Sequence, residues 1–541
     1  MKRRLAFVLS CLLAVGTVAG CGGSNDNGGS AADTNGGASA SAQESAAVND
    51  SQETASSGSG EGETLTVALA LEPASLMPTA AGANEAYMVM NCMAETLFKW
   101  NSETGEIEAN LGDFEWVDDT HFRVTLKDGI HFQNGEELTT EDVLYTFQVN
   151  NEYSSGNYEV FNLENTVIED DHNMVFETKE SLAQAPERFV QESYFIFSKK
   201  TLEEMGGAEN TALYPIDGYG TGKYQFKEWV SGQYILLEKN DDYWNQEDMP
   251  YYDYIKFVFV NDSASRAMAV ESGDANVGSN LPVSQAPIYE NSDVVDVHYM
   301  DTQQCGTVFM NCSRGPLQDE RVREAIWNLI DVNALNQLAA NGMGRICETT
   351  ISPYSIVYDP EPEGTVREVN VEKAKELLAE AGYPDGFTLE MTNMATQQAQ
   401  GEIIQENLRQ AGIEVNITIN ETPTHFQWLR EGNYDLTISN LSPMYYTENL
   451  RLVDGRISTA VVYGGANYKD ENFYPLLDAA YSAFDMDDRI AAYKACQDYM
   501  KEHRIVVGTH TTVKLELTSE GLTAPGLTAM GNADYTVVRP Q

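Results

Sequence analysis

The chain has 541 residues, of which 42% are hydrophobic and 10% aromatic, and its 83 acidic and 33 basic residues give a formal net charge of −50. Such a charge repels nucleic acid and anionic lipid headgroups, and it disfavours polyanionic ligands unless a basic pocket intervenes. A solvated acidic surface explains the charge most simply, and a preference for cationic ligands is the alternative. The length allows two or three folded lobes.

The first twenty residues have the pattern of an export signal. Three basic residues, at positions 2–4, precede an apolar run over residues 5–18. This run is too short to span a bilayer, which is typical of a signal peptide rather than a membrane anchor. The sequence therefore predicts that residues 1–20 are removed.

A cysteine follows this segment directly. The motif Val18-Ala19-Gly20-Cys21 resembles the lipobox of bacterial lipoproteins, in which the cysteine thiol receives diacylglycerol and its freed amino group often receives a further acyl chain, such as palmitate. Two or more chains, at roughly 0.8 kcal/mol per buried methylene, hold a protein stably on a membrane. The resemblance implies lipidation of Cys21, and ordinary secretion with a stray thiol is the alternative.

Residues 21–63 are predicted to form a disordered tether that begins at the lipidated cysteine. Residues 22–63 contain no aromatic residue, no Lys and no Arg, so the segment cannot bury enough apolar surface to offset its chain entropy. A Gly/Ser-type coil of about 42 residues has a reach of roughly 35 Å. The tether would therefore lift a folded body away from the lipid.

From residue 64 onward, strand and helix patterns alternate irregularly, as is typical of α/β proteins. The clearest helix has Asn370 as its cap and a stop at Gly382. In chain order, the predictions are a strand over 64–70, a helix over 85–98, a strand over 122–126, a helix beginning within 138–143, a hairpin over 224–240, a strand over 254–260, a helix over 371–381, a helix containing 403–408, and a strand over 413–417.

Five cysteines remain after the lipobox, at positions 92, 305, 312, 347 and 496. An odd number of scattered cysteines is not a disulfide framework, so we expect buried free thiols, with a Cys305–Cys312 pair as the alternative. Neither CxxC nor HExxH occurs, and the seven histidines do not cluster, so we expect no metal site. Nor do we find a GxSxG elbow or a P-loop, and we predict neither catalytic residues nor a cofactor.

Five motif blocks follow one another along the chain. They are Ala94-Glu95-Thr96-Leu97 with residues 116–143; Gly220-Thr221-Gly222-Lys223-Tyr224 with Trp229, Asn240, Tyr243, Trp244 and residues 268–276; Met310-Asn311 with residues 317–326; residues 374–387; and Asp478 with residues 489–499. In this order they resemble the extracellular solute-binding proteins of ABC importers, family 5, which include oligopeptide-, dipeptide- and nickel-binding members. Independently of the family, we expect Tyr243 and Trp244 to fill the edge of a core, and Arg323 to form an ion pair with Asp319.

The resemblance implies an α/β, two-lobed clamshell of the class II periplasmic-binding-protein type, with an extra domain inserted in the amino-terminal lobe. Lobe I would comprise residues 64–95, 219–305 and 508–541, the insert residues 96–218, and lobe II residues 306–507. The hinge would then lie near Cys305 and Val507. Binding in such a protein shifts the population towards the closed form.

The implied function is that of a receptor, not an enzyme. It would be a monomer, anchored by lipid alone to the extracellular face of the bacterial cytoplasmic membrane, that captures a peptide or peptide-like solute for the transmembrane subunits of an ABC permease. A ligand-free surface scaffold or adhesion protein is one alternative. A tethered hydrolase is the other, and turnover of peptide substrates would distinguish it.

The resemblance also implies a set of candidate ligand-binding residues. Family members that hold a peptide amino group use an aspartate in a segment like "W…DYxDP", but here residues 436–448 lack both the tryptophan and the Asp-Pro pair. Glu448 is a candidate replacement for the acid. Tyr445 and Tyr446 suit the wall of a ligand pocket, and simple packing is the alternative for both. The remaining candidates are Ser442, Asn84 and Tyr87.

Overall fold

The structure is a computed structural model that describes residues 62–77, 84–101, 104, 106–153, 160–207, 218–359, 367–442, 446–457 and 465–541. These residues belong to one unit, Glu61–Gln541. The predicted signal segment, Cys21 and nearly all of the predicted tether lie outside the described residues.

The described residues contain eighteen strands and thirteen helices. The strands are β1 (Thr64–Leu69), β2 (Phe98–Asn101), β3 (Glu106–Ala109), β4 (Gly112–Asp118), β5 (His121–Leu126), β6 (Val167–Ile168), β7 (Asn173–Glu177), β8 (Tyr224–Val230), β9 (Tyr234–Lys239), β10 (Tyr254–Phe259), β11 (Val277–Leu281), β12 (Val295–Met310), β13 (Phe387–Asn393), β14 (Ile413–Ile419), β15 (Leu436–Leu441), β16 (Val506–Ser519), β17 (Gly526–Leu527) and β18 (Ala533–Asp534). The helices are α1 (Asn84–Met93), α2 (Thr140–Tyr153), α3 (Lys199–Glu204), α4 (Ser263–Ser272), α5 (Ala286–Tyr289), α6 (Glu320–Leu329), α7 (Val332–Ala340), α8 (Val371–Glu380), α9 (Gln398–Arg409), α10 (Thr422–Glu431), α11 (Tyr446–Arg451), α12 (Tyr474–Tyr481) and α13 (Met486–Glu502).

Ten strands form one mixed sheet in the order β14-β13-β15-β12-β16-β11-β1-β10-β9-β8. We call β11, β1, β10, β9 and β8 the first half, and β15, β13 and β14, with the helices and loops of residues 311–505, the second half. The long strands β12 and β16 pair with each other antiparallel and join the two halves. Within the first half β1 pairs parallel with β10, and within the second β13 pairs parallel with β14.

The joining strands are irregular where they pass between the halves. Their ladder shifts register twice between Asp301 and Thr307, and Gln303 has a φ of 59°. Irregularities of this kind bend a strand and strengthen its twist. The predicted hinge, near Cys305 and Val507, falls within or close to this stretch, and motion there stays a prediction.

A four-stranded antiparallel sheet, β4-β5-β7-β6, forms a separate layer with α2. Its core is aromatic: Phe122 stacks on Phe176 with ring centroids 5.5 Å apart, and Phe147 lies 4.5 Å from Phe189. Buried residues of this core are continuous with those of the second half, including Tyr481. The four-stranded region therefore packs against the second half in this conformation.

Several local predictions are confirmed. Asn370 caps α8 by accepting a 3.0 Å hydrogen bond from Lys373 N, and Gly382 follows the helix with a φ of 91°. The predicted hairpin is β8 and β9, and Gly232 has a positive φ in its turn. The five described cysteines are buried and free. The Cys305–Cys312 alternative is thus not realised.

Helix α1 ends at Met93, earlier than predicted, where the Met93 carbonyl accepts hydrogen bonds from Gly222 N and Gln133 Nε2 instead of continuing the helix. Glu95, just beyond this end, is the centre of a buried network. Its carboxylate accepts hydrogen bonds from Tyr243 Oη at 3.0 Å, Trp244 Nε1 at 2.8 Å and Thr221 Oγ1 at 3.0 Å. Asn110 Nδ2 adds a fourth contact at 3.5 Å. Tyr243 is buried and Trp244 packs against a core, so the prediction that they are scaffold residues is confirmed.

The predicted ion pair between Arg323 and Asp319 is wrong. The Asp319 carboxylate instead pairs with Arg321 at 2.6 Å. Arg323 is buried and donates to the backbone carbonyls of Leu317 and His503 at 3.0 Å each. Because these carbonyls belong to segments far apart in the chain, their meeting could not be read from local spacing.

Candidate ligand-binding site

Ser442 lies against a turn from the carboxyl-terminal part of the chain. It is 6% exposed, and its Oγ donates a 3.2 Å hydrogen bond to the carbonyl of Ala529. Backbone hydrogen bonds close the turn, residues 528–532. Gly531 has a φ of 73°, and a Cβ there would lie 3.0 Å from Thr302 Cβ. Glycine therefore allows the turn to approach strand β12 closely.

The 528–532 turn also rests on both joining strands. Gln304 Nε2, on β12, donates to the carbonyl of Met530 at 2.7 Å. Lys514 Nζ, on β16, donates to the carbonyl of Gly531 at 3.1 Å. These two bonds fix the turn where the halves of the sheet meet.

A short polar segment approaches this turn from the four-stranded region. It spans residues 184–192, and its polar side chains are all less than 9% exposed although charged and amide groups usually stay in water. Two 3₁₀ turns, Ala185–Val190 and Glu192–Tyr194, bring these side chains close to one another. The buried polar residues are Gln184, Glu187, Arg188, Gln191 and Glu192.

The polar segment contacts both the second half and the turn. Thr447 Oγ1, on α11, donates to Glu187 Oε1 at 3.2 Å and lies 2.8 Å from Tyr493 Oη. Asn532 Nδ2 donates to Glu192 Oε2 at 2.8 Å. Three parts of the chain thus meet at one junction: the polar segment, the turn, and the stretch from Ser442 into α11.

Two acceptors at this junction are left without a partner. Among the described residues, Asn532 Oδ1 is buried and accepts no hydrogen bond, and Glu192 Oε1 is buried with no donor at hydrogen-bond distance. The nearby Thr528 side chain nevertheless lowers the pKa of Glu192 by hydrogen bonding towards it. The amide nitrogen and oxygen of Gln184, on the same polar segment, are also unpaired. Buried polar groups nearly always have a partner, so these atoms are available to a ligand or to water.

The electrostatics of the junction are dominated by buried carboxyl groups. Burial raises the pKa of Glu192 to about 7, against the lowering by Thr528, Asn532 and Lys514. Burial likewise raises the pKa of Glu516 to about 7, although Asn280 N donates to it at 2.8 Å. The pKa of the Lys514 ammonium is lowered by burial. The charged forms of Glu192, Glu516 and Lys514 are therefore unfavourable here unless a group of opposite charge lies close to them.

Among the predicted site residues whose side chains the structure describes, Ser442 lies at this junction. Tyr445 lies outside the described residues, as do the side chains of Tyr446 and Glu448, although both belong to α11. Asn84 is exposed at the start of α1. Tyr87 is half-buried and packs against the core of the first half. The ligand contacts predicted for these five residues stay predictions.

A narrow groove runs beside the joining strands in the second half. Its empty volume, open solvent included, is about 210 Å³. Asn440, Thr509 and His510 lie along it, and burial lowers the pKa of His510 to about 4.

A second set of contacts joins the four-stranded region to the second half, and we call it the clasp. The rings of Trp116 and Phe484 meet edge to face with centroids 4.8 Å apart. The Arg451 guanidinium, 1% exposed, pairs with Glu180 at 2.6 Å and lies over the ring of Tyr481. The clasp therefore holds the two regions together from outside the polar junction.

Two further observations concern membrane-spanning helices and metal-binding groups. No helix in the part of the chain that the structure describes is long and apolar enough to cross a membrane. In the same residues, no group of three His, Cys, Asp or Glu side chains is arranged to hold a metal ion.

Solved structures define the class of this fold. A dipeptide-binding protein from Pseudoalteromonas sp. SM9913, in complex with Met-Leu, has a TM-score of 0.74 at 21% identity and covers 88% of this chain and 100% of its own. NikA from Staphylococcus aureus, in complex with Ni(L-His)2, has a TM-score of 0.69 at 20% identity, with coverage of 88% and 100%. The fold is thus the two-lobed α/β fold of periplasmic binding proteins.

The family follows from the sequence. The family model for bacterial extracellular solute-binding proteins, family 5, middle region, matches residues 106–452, more than half of the chain. This protein therefore belongs to the bacterial extracellular solute-binding proteins of family 5, as its motif blocks predicted.

Curated relatives match part of this chain and part of their own length. The oligopeptide-binding protein AppA of Bacillus subtilis is 27% identical over 349 residues, which are 58% of this chain and 61% of AppA. The glutathione-binding protein GsiB of Escherichia coli K12 is 26% identical over 307 residues, 55% of this chain and 57% of GsiB. The chain thus matches about three fifths of the length of these relatives.

The polar segment was missed by the sequence analysis. Its signal is present in hindsight: Glu187, Arg188, Gln191 and Glu192 recur at spacings of three to four, which places them together on a short helical segment. Nothing in the sequence, however, marks this face as buried. Charged residues at such spacing usually form a solvated helix surface.

Proposed function

We propose that this protein is a lipid-anchored extracellular receptor that captures a peptide or peptide-like solute between two lobes and delivers it to an ABC permease. The observation that carries the proposal is the junction where Ser442, Glu192 and Asn532 meet from three separate parts of the chain. Unpaired buried polar atoms at the meeting point of moving parts suit a solute that completes their hydrogen bonds.

In this proposal lobe I consists of residues 64–95, 219–305 and 508–541, the inserted domain of residues 96–218, and lobe II of residues 306–507. The first half of the sheet then lies in lobe I and the second half in lobe II. Only β12 and β16 connect them within the sheet, which favours bending at their irregular stretch.

Capture would work as a population shift. A solute that touches both lobes stabilises the closed form by its difference in affinity for the closed and open forms. Micromolar capture corresponds to about −8 kcal/mol, which is attainable when most of a small ligand is enclosed. The closed form would be the one that the permease recognises.

The class of solute is supported by the names of the relatives, which bind oligopeptides and glutathione. We further propose that residues 1–20 are removed, that Cys21 carries lipid, and that residues 21–63 tether a monomer to the outer face of the cytoplasmic membrane. The protein would release its cargo chemically unchanged, without catalysis.

The test is to purify the full chain in detergent from its own host and to seek a bound small molecule by native mass spectrometry. Small-angle scattering with and without that cargo should then show a decrease in radius of gyration on binding. Failure to retain or bind any small solute, or recovery of a chemically altered cargo, would contradict the proposal.

The predicted cleft wall can be tested separately. Replacing Tyr445 and Tyr446 together with alanine should weaken cargo binding about tenfold or more, since two aromatic surfaces are lost, while the melting temperature of the empty protein changes by a few degrees at most. Tyr251→Ala, at a side chain that is 47% exposed, is the control. Unchanged affinity in the double variant would remove these tyrosines from the site.

A further inference from the structure

Strand β12 is interrupted by a bulge at residues 302–304. From Asp301 to Cys305 β12 advances four residues, whereas its partner β16 advances two, from Val513 to Thr511. The chain absorbs this difference around Gln303, whose φ is 59°. A left-handed backbone is unfavourable for a residue with a Cβ atom, so it persists only where surrounding groups impose it.

Two residues of proposed lobe II hold this bulge, which belongs to proposed lobe I. Ser352 Oγ donates to the carbonyl of Gln303 at 2.5 Å. Tyr354 Oη donates to the carboxylate of Asp301, and the same carboxylate accepts from Gln303 N at 2.9 Å. Both backbone polar groups of Gln303 therefore have partners while its φ is positive, and these partners are held by lobe II.

A further contact ties the bulge to the junction. Gln304 Nε2 donates to the carbonyl of Met530 at 2.7 Å, within the 528–532 turn that accepts the hydrogen bond from Ser442. In the proposed division the turn belongs to lobe I and Ser442 to lobe II. The bulge thus lies between two contacts that join the lobes, and separation of the lobes removes the groups that impose a positive φ on Gln303.

We propose that Gln303 switches its backbone conformation when the lobes move, with a positive φ in the closed form and a negative φ in the open form. This proposal rests on the proposed receptor function and adds the residue whose own conformational preference sets the equilibrium between the two forms. Because a positive φ disfavours the closed form, the empty protein stays partly open. Cargo closes it by binding the closed form more tightly.

The experiment measures the distance between the lobes in the empty protein. Nitroxide labels on Tyr251→Cys, in lobe I, and Glu376→Cys, in lobe II, are read by double electron–electron resonance on the full chain. Both positions are exposed and the five described native cysteines are buried. Cys21→Ser removes the remaining thiol of the mature chain. We expect two populations of distance, whose ratio is the equilibrium constant between the closed and open forms.

Substitutions at Gln303 should move this ratio in opposite directions. Gln303→Gly removes the Cβ that makes a positive φ unfavourable and should raise the ratio of closed to open about fivefold. Gln303→Val introduces a β-branched side chain and should lower the ratio by about fivefold or more. Asn341→Gly is the matched control, because Asn341 also has a positive φ, 50°, but follows α7 within lobe II. It should leave the ratio unchanged within about twofold.

The outcomes separate the switch from the receptor function. Opposite shifts in the two Gln303 variants, without a shift in Asn341→Gly, support the switch. An unchanged ratio in Gln303→Gly, an equal shift in Asn341→Gly, or a single distance in every variant overturns it. If Gln303→Val does not fold, Gln303→Gly against the control still decides. Because the distances are read without cargo, failure to recover any bound solute contradicts the receptor function and leaves the result on Gln303 unaffected.

Discussion

The clasp offers a test of closure that does not touch the polar junction. Phe484→Ala removes one ring of the edge-to-face pair with Trp116, whose centroids are 4.8 Å apart. An aromatic pair contributes about 0.5–1.5 kcal/mol beyond the area it buries, and both rings are only half-buried, so we expect a loss of about 1–2 kcal/mol. The loss should fall on the closed form alone, because in the proposed division into lobes the two rings belong to parts of the chain that separate on opening.

The effect on binding follows from the population of the closed form. A loss of about 1–2 kcal/mol lowers the closing equilibrium constant by roughly 5- to 30-fold. If the empty protein is mainly open, the Kd for its cargo should rise by the same factor. Calorimetry with the cargo identified by mass spectrometry measures this change, and small-angle scattering of the empty protein should show a larger or equal radius of gyration.

The control removes a similar ring pair that lies within one half. Phe387→Ala disrupts the contact of Phe387 with Tyr383, whose centroids are 4.9 Å apart. This variant should lower the melting temperature but leave the Kd unchanged. If Phe484→Ala binds its cargo as tightly as the wild type does, and scatters identically, the clasp does not take part in closure.

Three other predictions concern stability and anchoring. Glu95→Ala leaves Tyr243 Oη, Trp244 Nε1 and Thr221 Oγ1 without their acceptor, whereas Asn110 Nδ2 keeps its hydrogen bond to the carbonyl of Thr96. The change should cost about 3 kcal/mol or more, a melting decrease of about 3 °C at roughly 1 kcal/mol per degree for this size, and no decrease would show that the network contributes little. In the folded wild type the pKa of Glu192 is about 7, against an ordinary value of 4.5. Between these pH values the folded wild type holds a proton that the unfolded chain has lost, so wild-type stability falls as the pH rises through 7. Glutamine does not titrate, and Glu192→Gln should therefore stabilise the empty protein by roughly 2–3 kcal/mol more at pH 8 than at pH 5. Equal shifts in melting temperature at both pH values would contradict this assignment. Cys21→Ser should move the protein from the membrane fraction to the medium or periplasm on fractionation, and retention in the membrane would exclude lipid as the sole anchor.

Local chemistry was sufficient to predict much of this fold. The cap at Asn370, the stop at Gly382 and the turn at Gly232 act within a few residues, because an amide is satisfied or a positive φ is adopted locally. The motif blocks likewise identified the family, which the match over residues 106–452 confirms. Sequence by itself thus determined the elements, the two-lobed class and the family.

The tertiary structure decided the contents of the candidate site. Glu192 and Asn532 are 340 residues apart in sequence, and the identity of a partner at that distance is set by the packing of whole elements rather than by spacing. Arg323 likewise donates to the backbone carbonyls of Leu317 and His503 rather than pairing with the nearby Asp319, because folding brings these groups together. Burial is a property of the assembled chain, and here it raises the pKa of Glu192 to about 7.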